Sequence, residues 1–418
     1  MLRKSAERRT LLGYCGLFLL ALLVRILVIL SFGLEKIEFG DALDYLKSAE
    51  LLCLEGDYRG KTGMPFFRAP GLPAYISLVT TCAPLQHIPL IKFSLAIVDS
   101  LNAVLIGILA SLLWRRRSVG LFAGFAAALY PFFALQVRDI QTEPLFLCFE
   151  LIFLVALLLG MRLGKFRYFA LAGFSLALAT LTRPVTLVAI PMIALCLVFF
   201  GRRERYAALT FVLAAIFALS FWTYSNFKKY GEIIAVNDAF GYNLWRGTSE
   251  ELFQVYQRKD AKTFAEAAAR FELETEQGIV RKVLETGGTP KELSAIWTEI
   301  AAREIREHPW SFVNKLLWNA WVFWRPWLNP LVYSSKIVWA SGAVVTLLYG
   351  CALVGFRRLY REEFRVAFLL LAYCLLIWIA HIPFQVVARF RIPVIDPIFI
   401  AVAAGVVWPL LRRSKQDL

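Results

Sequence analysis

Long apolar runs separated by short basic clusters dominate this chain, and they leave it few ways to fold. Residues 11–32, 206–227, 339–356 and 392–411 each reach or approach the ~20 residues a helix needs to cross a bilayer. Composition agrees: 59% of the 418 residues are hydrophobic and only 18% charged, where a soluble chain carries roughly a quarter charged. Mean hydropathy is +0.61. The first run follows basic residues 3–9, is too long for the apolar core of a signal peptide, and is followed by no small-residue cleavage site. It is expected to be a retained membrane helix.

The net charge of +15 would suit nucleic acid if it were gathered on one surface, but its distribution says otherwise. The clusters Arg3/Lys4/Arg8/Arg9, 115–117, Arg162/Lys165/Arg167, Arg202/Arg203/Arg205, Arg357/Arg358/Arg361 and Arg412/Arg413/Lys415 lie between apolar runs or at a chain end. That is the positive-inside pattern. The long polar segment 227–308 is nearly balanced in charge. The excess is a topology signal, and nucleic acid is not an expected partner. Of seven cysteines, Cys15, Cys148, Cys196, Cys351 and Cys374 fall inside apolar runs and read as small packing residues. Cys53 and Cys82 share the same side, and whether they pair is left open.

Placing every basic cluster in the cytoplasm gives a consistent path. Helices are expected at about 11–32, 88–113, 118–136, 143–161, two short ones within 168–200 around an Arg183-Pro184 turn, then 206–226, 335–356, 366–384 and 392–411. The fold class is an all-α polytopic membrane bundle of about ten spans with both ends in the cytoplasm. Residues 71–86 are apolar but too short to span and read as an interfacial helix. The Trp-rich stretch 309–329 does likewise, since tryptophan favours the headgroup level. The expected divisions are a transmembrane module 1–226 with a first outer loop 33–87, an outer loop and Trp-rich helix 227–334, and C-terminal spans 335–418.

The polar residues able to carry chemistry converge on one side of this topology. They are Asp41, Asp44, Tyr45 and Arg68 in the first loop, Arg138 and Glu143 after the third helix, and His381, Arg389 and Arg391 near the last turn. Three of these stretches carry a resemblance. The segment FGDALDYLKSAELLCLEGDYRGKTGMPFFRAPGLPAYISL (39–78), with Asp41, Tyr45 and Arg68-Ala69-Pro70-Gly71, resembles the first outer loop of GT-C glycosyltransferases. More narrowly it is similar to glycosyltransferase family 39 and the related lipopolysaccharide-core and lipid A sugar transferases. QTEPLFLCFELIFLVALLL (141–159) places Glu143 where that family has an acid, and HIPFQVVARFRIPVIDP (381–397) resembles its Arg-aromatic-Arg segment before a late helix. NLWRG (243–247) and HPWSF (308–312) are weaker echoes. The chain departs from the pattern in having no large C-terminal soluble domain, and in Arg68 where some members have Lys.

The resemblance implies a GT-C-like helical bundle and an inverting glycosyltransferase. Such an enzyme moves a monosaccharide from polyprenyl phosphate to a hydroxyl of a lipid, glycan or protein, on the outer face of the cytoplasmic (inner) membrane. By position, Asp41 is the expected base, with Glu143 supporting it or orienting the acceptor. Arg68, Arg389 and Arg391 are expected to meet the leaving phosphate. Tyr45, Asp44, Arg138, His381 and Arg25 are further candidate contacts. No cofactor is required on this reading. With His87, His308 and His381 far apart and no Cys/His cluster, there is no protein-built metal site of standard spacing, while a carboxylate-bound divalent ion stays open.

Each residue also has a plainer role. Asp41 after Gly40 suits a helix cap, and Glu143 before Pro144 suits a helix start. Arg389 and Arg391 can anchor a helix at the headgroups by snorkelling, and His381 can simply end one. Arg25 is an intramembrane charge, hence a candidate site residue, or it snorkels outward. Two other functions compete: a lipid-linked sugar transporter or flippase, for which no inverted repeat is visible, and a polymerase or ligase moving whole glycans.

Overall fold

The computed structural model describes residues 2–38, 40–58, 67–231, 233–258, 260–285 and 290–414, and the described residues are helical with connecting turns. Six helices are long and apolar enough to cross a membrane: Thr10–Phe32, Pro84–Trp114, Glu143–Leu163, Arg202–Tyr230, Ser335–Glu362 and Phe364–His381. A bent pair, Arg117–Leu129 with Pro131–Arg138, makes a seventh if counted as one span. The bend of 50° falls at Tyr130, whose backbone is extended, as expected for a residue preceding proline. Three shorter apolar helices, Phe166–Thr182, Pro184–Phe200 and Asp396–Leu411, occupy the other positions where spans were expected. The count of about ten therefore becomes six or seven by length and composition. Pro184 cuts one apolar stretch in two, and the turns around Pro393 delay the start of the last helix to Asp396.

The helix Glu143–Leu163 is central, with 67% of its apolar window buried, against 17% for Ser335–Glu362 and 22% for Thr10–Phe32. The latter two present exposed leucines such as Leu19, Leu23, Leu347 and Leu353, the surface a bilayer covers. Between helices the packing relies on small residues, which let backbones approach where apolar burial gives no preference over lipid. At Gly173 a Cβ would stand 2.0 Å from the carbonyl oxygen of Phe211, so Phe166–Thr182 and Arg202–Tyr230 meet backbone to backbone.

Residues 240–307 form a separate helical unit: Phe240–Thr248, Glu250–Tyr256, Ala261–Arg270, Gln277–Glu285 and Pro290–Glu307. Its core is a stack of Trp245 on Phe271 (5.5 Å, 17°) and on Trp297 (6.3 Å, 18°). Phe67, from the far end of the first loop, inserts into that core. Cys53, in the helix Gly40–Leu54, forms a disulfide with Cys82, just beyond the end of the helix Gly71–Thr80. Gly71–Thr80 has 10 residues, about 15 Å of helix, half of what a crossing needs.

Candidate active site

Asp41 lies in the first turn of the helix Gly40–Leu54. Its side chain is 43% exposed and its Oδ1 accepts from Arg68 Nη2 at 2.6 Å. One turn on, Asp44 is buried, and its Oδ2 takes Arg68 Nη2 at 3.1 Å and Nε at 3.3 Å. The guanidinium lies over the rings of Tyr45 (5.6 Å) and Phe67 (5.1 Å). Two contacts fix the bent segment 67–70 that carries it: Tyr58 OH donates to Ala69 O (2.9 Å), and Asn237 Nδ2 donates to Phe67 O (3.2 Å). Burial opposes the charge on Arg68, and Tyr45, Asp41 and Asp44 more than offset this, so its pKa is raised. Burial likewise pushes the Tyr45 phenol up.

Glu143 opens the central helix and is wholly buried. Its Oε1 meets Arg389 Nε at 2.6 Å and Arg183 Nη1 at 3.4 Å, and Thr142 Oγ1 donates to its Oε2 at 3.4 Å. Arg183 is held between the rings of Phe146 (5.7 Å) and Phe390 (5.3 Å). Burial works against the charge on Arg389 too, and Glu143, Asp41 and Tyr45 outweigh it. The two ion-paired groups thus adjoin, with Asp41 acting on Arg389 across the gap. Asp139, on the turn before Glu143, accepts from the Glu38 main-chain N–H at 3.0 Å, which pins the start of the first loop to this turn.

The structure brings Asp41, Asp44, Tyr45, Arg68, Glu143 and Arg389 together. Arg138 stands nearby, paired with Glu38 (3.4 Å) and lying over Phe32 (5.4 Å). With Arg389, Arg258 and Arg325 it lines a cavity of about 760 Å³ whose apolar walls include Phe132, Trp318 and Leu328. His381 is buried, its Nδ1 on Ile377 O (2.7 Å) and its ring beside Phe323 and Phe390. Two candidates are occupied elsewhere. Arg391 is buried on Asp396 (2.8 and 3.3 Å), Tyr349 OH (2.7 Å) and Arg325 O (3.1 Å). Arg25 neither snorkels nor faces lipid: it is buried on Asp99 (2.8 Å) and Ala128 O (2.5 Å). Asn102 continues that network, bonding Asp99 (3.2 Å) and Pro144 O (2.9 Å).

Sequence reasoning missed Arg183, read there only as part of a turn. The available signal was an arginine between two apolar helices, an intramembrane charge that needs a partner. It also missed Arg258 and Arg325, which nothing in their local sequence distinguishes from surface arginines. Among the described residues no group of three or more His, Cys, Asp or Glu side chains is placed to hold a metal ion.

The family model for dolichyl-phosphate-mannose-protein mannosyltransferases matches residues 68–224. No curated protein matches the sequence. Among solved structures, the oligosaccharyltransferase AglB from Archaeoglobus fulgidus, in complex with an inhibitory peptide and a dolichol-phosphate, is similar with a TM-score of 0.56. Identity is 14%, over 97% of this chain and 52% of that one. A second structure of the Archaeoglobus fulgidus enzyme, tethered to an acceptor peptide, gives 0.54 and 13% over 96% and 50%. ArnT from Cupriavidus metallidurans bound to undecaprenyl phosphate gives 0.43 and 15% over 93% and 77%. At such identities the AglB likeness concerns the fold, and the chain spans about half the length of AglB.

Proposed function

We propose that this chain is a glycosyltransferase of the GT-C kind that moves a monosaccharide from a polyprenyl-phosphate carrier to a hydroxyl acceptor, with inversion at the anomeric carbon. The observation that carries this reading is the contrast between two carboxylates in one cluster. Glu143 is sealed and shared by two arginines, whereas Asp41 keeps an accessible oxygen while Arg68 holds it. Asp41 is then the group that can meet a substrate proton, and Glu143 the group that positions cations.

In the proposed step the Asp41 carboxylate takes the proton of the acceptor hydroxyl as its oxygen bonds to the anomeric carbon. The bond from that carbon to the phosphate oxygen breaks, and its electron pair leaves on the phosphate monoester. Arg389, anchored by Glu143, and Arg138 stand at the cavity to meet that charge. Fixed cations in a water-poor site need no reorganisation as charge develops. The apolar walls suit the first part of a prenyl chain. Arg391, already committed to Asp396, holds the last turn in place on this reading. No cofactor enters the step. The Asp41 end faces outward from the cytoplasmic membrane, which puts the arginine-rich opposite end inside. The acceptor is a hydroxyl of a lipid A or core glycan, another glycan or a protein.

The test is Asp41→Asn in purified full-length protein, assayed with a defined polyprenyl-phosphate monosaccharide and membrane extract as acceptor. Loss of a positioned base is expected to slow transfer by about 10²–10⁴-fold with unfolding temperature unchanged. A fully active Asp41→Asn variant would sink the mechanism. Arg389→Ala is expected to weaken binding of the donor, measured directly, and unchanged donor affinity removes Arg389 from the phosphate site.

A further inference from the structure

The end of the bundle remote from Asp41 carries a second polar cavity, of about 750 Å³. It surrounds the C-terminal end of Glu143–Leu163, a helix of 21 residues, so it lies about 30 Å along that axis from Glu143. Arg115, Arg162, Arg203 and Arg365 line it against Glu204 and Glu363. Glu363 Oε1 is shared by Arg115 (2.8 Å) and Arg162 (3.0 Å), and Glu204 pairs with Arg365 (3.3 Å). Among the described residues Arg203 donates to one partner, the main-chain carbonyl Gly164 O, at 2.8 Å. Four guanidinium groups thus face two carboxylates, and the cavity keeps an excess of positive charge.

Two further features ask for an anion. The Arg162 side chain keeps 19% of its surface exposed, and its Nε has no hydrogen-bond partner among the described residues, an unmade bond that costs free energy. Three helices also begin here, Phe166–Thr182, Arg202–Tyr230 and Phe364–His381, none with a side-chain cap. Their first-turn N–H groups add partial positive charge at the same place. Part of the wall is apolar: Phe166, Phe169, Phe200 and Phe364 also line it. Phe166 and Phe364 stay 45% and 51% exposed, at helix ends where acyl chains would lie.

We propose that this cavity binds the phosphate of an anionic membrane lipid, its headgroup on Arg162 and Arg203 and its chains against the exposed phenylalanines. Basic pockets between spans are suited to such headgroups. A bound headgroup would cross-link the ends of the central helix and its neighbours, far from the reacting atoms. The proposal uses the chain's place in a membrane and not the sugar-transfer reading.

The experiment uses purified full-length protein in a neutral detergent, with retained lipid followed by native mass spectrometry and unfolding followed by temperature. Phosphatidylglycerol is expected to be retained and to raise the unfolding temperature, and phosphatidylcholine to do neither. The double variant Arg162→Ala/Arg203→Ala should bind phosphatidylglycerol about ten-fold more weakly, as for a lost hydrogen bond to charge. Inorganic phosphate is the second arm: if it alone raises the unfolding temperature and displaces the lipid, the ligand is a soluble phosphate and the lipid assignment falls. Equal retention of the two lipids, or undiminished retention by the double variant, also overturns it. Should the double variant not fold, Arg203→Ala alone decides, since its side chain is exposed and, among the described residues, bonds one carbonyl, Gly164 O.

Discussion

Glu143 sits at the centre of the buried charge in the polar cluster. It is an anion with no exposed surface, and two arginines depend on it. Removing one partner of a buried pair leaves the other charge uncompensated, which costs about 3–5 kcal/mol. Glu143→Gln keeps the shape and loses the charge, so it is expected to lower unfolding free energy by about that amount and to abolish transfer. A variant with wild-type stability would mean that water compensates Arg183 and Arg389 instead. Glu143, Arg68 and Arg389 were legible in the sequence through short motifs. Arg183 was not, because a turn explains Arg-Pro locally and only the third dimension supplies the carboxylate. Arg25 failed differently: its charge was noticed, but its partner Asp99 lies 74 residues away, an acid in another apolar run that only the fold brings beside it.

At the scale of elements, the helices themselves were largely readable from apolar run length, and their contacts were not. Gly173 illustrates the gap. In its sequence it is one small residue among alanines and leucines, yet its Cα sits where a neighbouring backbone passes. Gly173→Ala must push Phe166–Thr182 and Arg202–Tyr230 apart, and overpacking of this kind costs about 1–3 kcal/mol. Gly350, in the helix Ser335–Glu362, has nothing within 4 Å of an added Cβ. There alanine removes only the helix penalty of glycine, a gain of about 0.8–1 kcal/mol. Thermal unfolding of the two variants should move in opposite directions, and a shift of the same sign in both would refute the backbone contact.

At the scale of the molecule, the first loop is clamped between two bodies. Its acids sit on the bundle, while Phe67 is buried in the 240–307 core, next to Arg68. That unit is tied down in turn by Arg246, bonded to Gln385 at 2.7 Å, and by Lys315, which meets Glu250 at 3.1 Å. Trp245→Ala is expected to cost about 3–5 kcal/mol within this unit. Limited proteolysis should then cut 240–307 first and transfer should fall, with donor binding at Arg389 retained; simultaneous cleavage of the spans would argue for one cooperative body. The polar composition of 227–308 showed where such a unit lies, but not that it carries a tryptophan-stacked core, since three aromatics spread over 53 positions make no local pattern. The bond between Cys53 and Cys82 carries a further consequence, one of timing. Both thiols must reach the same compartment, and an oxidising one, before the ring around Arg68 can close. A newly inserted chain therefore stays immature until those two thiols are oxidised, and the cell's thiol-oxidising machinery stands upstream of its folded form.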